Sequence, residues 1–267
     1  MTEKKEVTYS YSQFSTFNSC REKYKIIYVD GIRKSHESIE SFMGSCVHEV
    51  LEWVYLPKNR NKPYFTFDEL CRVYDEIWVK NWHDDIFIAS MGETKDLYYS
   101  LGKRCLSNYY SDFGPHFDEP VKDTELALTF TTDENYKIKG VIDRLDELKP
   151  GKYEIHDYKT GKRMKSARAA KKDLQLGIYQ MAVEENYPDV KEVRLSWHFI
   201  RHGKLVTVTQ LRKDIDDLRA KVDEEIKKII SAKENDDFYP TETLLCHWCF
   251  LWEECSAKIG NNPARRA

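Results

Sequence analysis

The sequence predicts an α/β fold with a helical insertion and a C-terminal cysteine cluster. Three observations carry this. Strand-like segments at 124–131, 137–148 and 152–158 follow one another, the last two joined by a Lys149-Pro-Gly151 turn. Segments with helical periodicity stand on both sides of them. At 267 residues with 41% hydrophobic composition, the chain can bury a large core.

The elements follow in order. Helices are expected near 39–56, 67–82 and 95–112. In the first of these, Val47, Val50, Leu51 and Val54 recur at helical spacing. The three strands come next, then a helix over 167–185, and strands near 192–200 and 205–210. After Leu211, a helix places Ile215, Leu218, Val222, Ile226 and Ile229 on one face. The cysteine run and a polar Asn-Pro-Ala-Arg-Arg tail close the chain. The reading is one domain over 1–267, with residues 57–118 inserted as a helical element.

The chemistry concentrates in Gly140-Val-Ile-Asp143 and His156-Asp157-Tyr158-Lys159-Thr-Gly161. Strand side chains alternate, so Asp157 and Lys159 project together, and Asp143 can join them if the strands pair as a hairpin. Two carboxylates and an amine at one spot can bind a divalent cation and manage a water. Such a set can hydrolyse a phosphodiester. Taken alone, the same residues also read as a surface hairpin with an exposed salt bridge. His48 adds weight. It lies one helical turn after Gly44, whose missing side chain leaves room over that face, and imidazole is a competent metal ligand. Gln175 and Tyr179 also share a helix face. They are expected to border the site and order Lys159 or hold substrate, with Leu174, Ile178 and Met181 in the core.

Seven cysteines are present. Cys246, Cys249 and Cys255 form a C-x2-C-x5-C run, and Cys20 stands alone near the other end. An odd number and the lack of a secretory signal argue against disulfides and for an intracellular, cytoplasmic protein with reduced thiols. Four thiolates suit zinc or an iron–sulfur cluster, and spacing alone leaves both open. Cys46, Cys71 and Cys105 read as buried small hydrophobes.

The net charge of -3 does not advertise a polyanionic partner. A local patch does: Lys159, Lys162, Arg163, Lys165, Arg168, Lys171 and Lys172 have no acid among them and begin at the presumed site. Trp82, Tyr98, Tyr99, Tyr109 and Tyr110 could stack unpaired bases but read first as core. No apolar run is long enough for a membrane span. No phosphate-binding loop of Walker type occurs, so any ATP motor would lie on another chain.

Gly44-x-x-x-His48, Gly140-x-Ile-Asp143-Arg144, Asp157-Tyr-Lys159-Thr-Gly161 and Gln175-x-x-x-Tyr179 occur in that order. They resemble the motifs of RecB-like nucleases in the PD-(D/E)xK superfamily. Cys20 with the C-terminal run resembles its iron–sulfur branch, which includes AddB-type nuclease domains and stand-alone exonucleases of CRISPR adaptation. The resemblance implies a restriction-endonuclease-like mixed sheet flanked by helices. It implies a Mg2+- or Mn2+-dependent deoxyribonuclease, with an exonuclease role in recombination, repair or CRISPR adaptation. His48, Asp143, Asp157 and the Tyr158 carbonyl would hold metal, and Lys159 would position or activate water, with Gln175 and Tyr179 in support. Cys20, Cys246, Cys249 and Cys255 would carry a 4Fe–4S cluster, with zinc as the alternative. DNA would be the partner, with Lys162, Arg163, Lys165 and Arg168 on its backbone and a helicase or recombination subunit on another chain. Arg21 departs from the family's frequent proline after the first cysteine. A non-catalytic DNA-binding or structural subunit is the rival reading; loss of Asp157 or Lys159 would mark it, and both are present.

Overall fold

The computed structural model describes residues 7–258, 260 and 262. Most of the polar C-terminal tail lies outside the described residues. In order, the elements are β1 (Thr8–Ser10), α1 (Tyr11–Ser19), α2 (Arg21–Tyr24), β2 (Glu37–Ser38), α3 (Ile39–Tyr55), α4 (Phe67–Asn81), β3 (Ile86–Phe87) and α5 (Lys95–Phe113). Strands β4 (Val121–Thr131), β5 (Lys137–Lys149) and β6 (Lys152–Tyr158) follow, then α6 (Ala167–Ala170) and α7 (Leu174–Asn186). Strands β7 (Glu192–Phe199) and β8 (Lys204–Val208) and helix α8 (Arg212–Glu234) complete the order of strands and α-helices among the described residues.

The main sheet is mixed and runs β1-β5-β6-β7-β8, with β4 also on β5. Its two halves are bridged by β5, which is 13 residues long. Antiparallel β4 occupies one of its edges along most of that length. The other edge is shared: β1 pairs in parallel with residues 137–139, and β6 pairs antiparallel from Arg144 onward. Residues 140–143 lie in the fork between these two partners. That fork is where the sheet can admit side chains from neighbouring helices, and it positions the site.

One buried cluster unites the sheet with α1, α7 and α8 and includes Ile215, Leu218, Val222, Ile226 and Ile229, as the periodicity of α8 predicts. A second unites α3, α4 and α5 with Val121, Tyr158 and Ile200. Tyr98 and Tyr109 are buried in it, while Trp82, Tyr99 and Tyr110 pack against it half-buried, so the aromatics of this portion are core. Helix α4 begins with a capping box, in which Thr66 and Glu69 satisfy each other's backbone N–H groups. Among the described residues, no helix is long and apolar enough to cross a membrane.

Two local expectations change. The single helix over 167–185 is two helices, broken at Lys171–Asp173. Asp173 caps the second by accepting from the Leu176 N–H at 3.1 Å, and an aspartate in that role favours a new start over a helix interior. Cys71 is half-buried, unlike Cys46 and Cys105.

Candidate active site

Asp143 stands in the fork of β5. Its Oδ2 accepts the Tyr158 N–H at 2.7 Å, so the carboxylate takes up a main-chain donor at the end of β6. Asp157 is 2% exposed and pairs with Lys159, Nζ to Oδ2 at 2.6 Å. The hairpin is therefore not a surface salt bridge. Arg144 pairs with His156, and continuing that register sets Asp143 across from Asp157. Burial pushes the Asp157 carboxyl up to about 6, with Lys159 pulling down and Asp143 pushing up. For Lys159, burial alone would lower the ammonium, but the Asp157 carboxylate outweighs it and the net direction is up. The lysine is thus held charged.

Helix α3 brings His48 to this place. Gly44 lets it approach: a Cβ there would come within 3.0 Å of Thr160 Oγ1. His48 Nε2 donates to the Tyr158 carbonyl at 2.9 Å. A carbonyl accepts only, so this bond puts a proton on Nε2 and turns Nδ1 toward Asp143 Oδ1 at 3.6 Å. Burial lowers the imidazole's proton affinity, and Asp143 more than offsets it. From the other side, α7 supplies Gln175 and Tyr179. Lys159 Nζ donates to Gln175 Oε1 at 3.1 Å, and Gln175 Nε2 donates to Tyr179 Oη at 2.7 Å. Gly140 makes room for Tyr179, whose ring would lie 2.9 Å from a Cβ at that position.

Two features escape the sequence reading. Glu125 on β4 joins His48 and Asp143 in a trio whose ligand atoms all lie within 4.8 Å of one another. It also lines, with Glu40, Glu49, Glu52, His48 and Thr160, an open groove of about 580 Å³. Nothing in the composition of 124–131 singles it out. Behind the site is a buried polar network. Arg144, 1% exposed, pairs with Asp146 at 3.0 Å, donates to Tyr109 Oη at 2.6 Å, and lies against the His156 ring. His156 Nδ1 and His198 Nε2 share a hydrogen bond of 2.8 Å, and both imidazoles are held neutral by burial and by the Arg144 charge.

The four predicted cysteines converge. Cys20, Cys246, Cys249 and Cys255 line one cavity of about 260 Å³, together with Trp248, Leu251 and Trp252. Backbone N–H groups of Thr241 and Thr243 point at the sulfurs of Cys20 and Cys246, each at 3.5 Å. The Cys255 thiol donates to Glu22 Oε2 at 3.1 Å. Arg21 opens α2, at the helix position whose N–H needs no intrahelical partner, which is why a proline and an arginine fit equally there. Its guanidinium pairs with Asp237 and lies over Phe17 and Tyr239.

From Lys162 onward the basic stretch is exposed. Lys162 pairs with Glu93 at 3.0 Å and Lys165 with Asp173 at 2.8 Å, while Arg163 and Arg168 also face solvent on the segment leaving Lys159.

Residues 8–256 match the family model described as the PD-(D/E)XK nuclease superfamily. The chain is similar to a crystal structure named "Putative exonuclease" from Eubacterium rectale: 14% identity, TM-score 0.53, covering 96% of this chain and 90% of that one. A second similar crystal structure, SSO0001, has 15% identity and a TM-score of 0.35, with 90% and 96% covered. No curated protein sequence matches.

Proposed function

Since the chain belongs to the PD-(D/E)XK nuclease superfamily, we propose that it is a divalent-metal-dependent deoxyribonuclease that degrades DNA from an end. The observation that carries this reading is the convergence of His48, Asp143, Asp157 and Lys159 at the fork of β5. The donor set fits a Mg2+ or Mn2+ ion: carboxylates with one imidazole, whose Nδ1 is turned toward Asp143. Such a cation supplies Lewis-acid polarisation of the scissile phosphate and a more acidic water. The protein's part is to place the charges. Asp143 and Asp157 face each other across β5 and β6 and give the cation anionic ligands. Lys159, kept charged by Asp157 and aimed by Gln175, is set to hold the attacking water or stabilise charge on the phosphate rather than remove a proton. Tyr179 fixes Gln175. Lys162, Arg163, Lys165 and Arg168 hold the DNA backbone as it leaves the site, giving little sequence preference.

The reading extends to the RecB-like iron–sulfur branch and to a single domain over 1–267 with the insertion at 57–118. Four cysteines around one cavity, two of them receiving main-chain N–H groups, suit a 4Fe–4S cluster. Zinc, at about 2.3 Å from each sulfur, would draw the thiols into a much tighter group. Among the described residues, the close trio of ligand atoms is His48, Glu125 and Asp143, and the thiols are spread wider. We place the protein in the cytoplasm, in recombination, repair or CRISPR adaptation, with a helicase or recombination subunit as its partner.

The test uses anaerobically prepared protein with Mg2+, Mn2+ or EDTA on linear and covalently closed circular DNA, single- and double-stranded. Metal-dependent release of acid-soluble nucleotides from linear DNA alone supports the reading. Cutting of closed circles would replace end-directed with internal cleavage, and inertness on every form with either metal would remove the enzyme.

A further inference from the structure

Glu125 occupies an unfavourable position twice over. Thr124 pairs with Arg144 and Leu126 with Ile142, so Glu125 stands across from Asp143 on β5. Like charges directly opposite on paired strands repel. Its backbone also has φ +47, the left-handed region that a non-glycine residue rarely adopts. No turn requires this: Glu125 lies inside the 11-residue β4. Asp143 in turn faces Asp157 on β6, so three carboxylates stand abreast across β4, β5 and β6. Lys159 pairs with Asp157 at the inner end of that row. At the outer end, Glu125, Asp143 and His48 each bring a ligand atom within 4.8 Å of the others, with His48 Nδ1 turned toward Asp143.

We infer that Glu125 is a ligand of the divalent cation, completing a His48–Glu125–Asp143 set at the outer end of the carboxylate row. A cation there turns the Glu125–Asp143 repulsion into shared attraction and gives the left-handed residue a function. The trio lies within 4.8 Å, so small side-chain shifts bring it to the roughly 4.2 Å that opposite ligands of an octahedral ion span. The imidazole among oxygen donors favours Mn2+ over Mg2+. This assignment rests on the metal-dependent reading of the site and adds a ligand to it.

Mn2+ titrations followed by electron paramagnetic resonance, without DNA, provide the test on full-length wild type, Glu125→Gln, Glu125→Gly and Asp143→Asn. Glu125→Gln should raise the Mn2+ Kd at least about tenfold, since loss of even a supporting partner costs 10–100-fold. Glu125→Gly should raise the melting temperature in EDTA, because glycine accepts this φ and removes the repulsion, yet lose most of the further rise that Mn2+ gives wild type. Unchanged Mn2+ affinity in Glu125→Gln, with affinity lost in Asp143→Asn, would overturn the assignment and leave the metal centre standing. Unchanged affinity in both would overturn the centre and the assignment with it.

Discussion

Replacing Arg144 with methionine tests how the site is held. The guanidinium is 1% exposed, pairs with Asp146 at 3.0 Å, donates to Tyr109 at 2.6 Å and sits 4.7 Å from the centre of the Tyr55 ring. Asp146 is itself 2% exposed. Methionine fills much of the volume but removes the carboxylate's charged partner, leaving it buried with only the His156 ring nitrogen at 3.1 Å. Breaking a buried pair in this way costs about 3–5 kcal/mol. That is a large part of the roughly 5–15 kcal/mol that holds a domain together. Removing both charges should behave differently: Arg144→Met with Asp146→Leu leaves no uncompensated buried charge and should recover most of the loss. Urea unfolding at pH 7 reads both, with the slope unchanged if only stability is altered. Because Arg144 adjoins Asp143 on β5, the single variant should also weaken Mn2+ binding, and the double variant should restore it in part. A single-variant loss under about 1 kcal/mol, or a double variant no more stable than the single, would refute the claim that this pair sustains the strand beneath the site.

Gly140→Ala should lower kcat about 10–100-fold at a stability cost of about 1–3 kcal/mol, because a Cβ 2.9 Å from the Tyr179 ring displaces Tyr179, then Gln175, then Lys159; single-turnover cleavage alongside urea unfolding separates the two effects. Cys20→Ala and Cys249→Ala should each abolish iron and sulfide content and visible absorbance, and lower stability by up to about 5 kcal/mol through the long loop that Cys20 closes. Stoichiometric zinc without iron after anaerobic preparation would contradict this. His156 and His198 have folded-state proton affinities well below the ordinary value, so below about pH 6.5 the unfolded chain binds more protons and stability falls as pH falls. Each imidazole contributes up to about 1.4 kcal/mol per pH unit. Asp157, raised to about 6, opposes this between its unfolded value and pH 6. Acid unfolding should therefore be steeper in Asp157→Asn, and an equal or shallower slope would contradict the sign.

The helices α3, α4, α5 and α8 and the β5–β6 hairpin were legible because their apolar residues repeat at a single period and a Pro-Gly turn separates the strands. His48, Asp143, Asp157, Lys159, Gln175 and Tyr179 were legible because acids, a lysine and a histidine stand at fixed spacing on otherwise apolar elements. Glu125 was not, because its reach depends on the register of β4 and on a backbone angle that no local pattern announces. Arg144, His156 and His198 were hidden for another reason. Charged and titratable residues in a hairpin read as solvent-facing, and only the packing of α5 against the sheet buries them. The break before α7 turned on whether Asp173 would cap a helix or sit inside one, which depends on where the chain must turn.

The central claim is that Lys159 acts beside a cation held by Asp143 and Asp157. It is tested most directly by cleavage of end-labelled linear DNA by wild type, Asp157→Ala and Lys159→Ala across a Mn2+ titration, with Mn2+ binding and DNA binding measured in parallel. DNA binding should be retained by all three, with cleavage lost in both variants and Mn2+ affinity lost only in Asp157→Ala. Full cleavage by Lys159→Ala, or cleavage by Asp157→Ala at the wild-type rate, would contradict it.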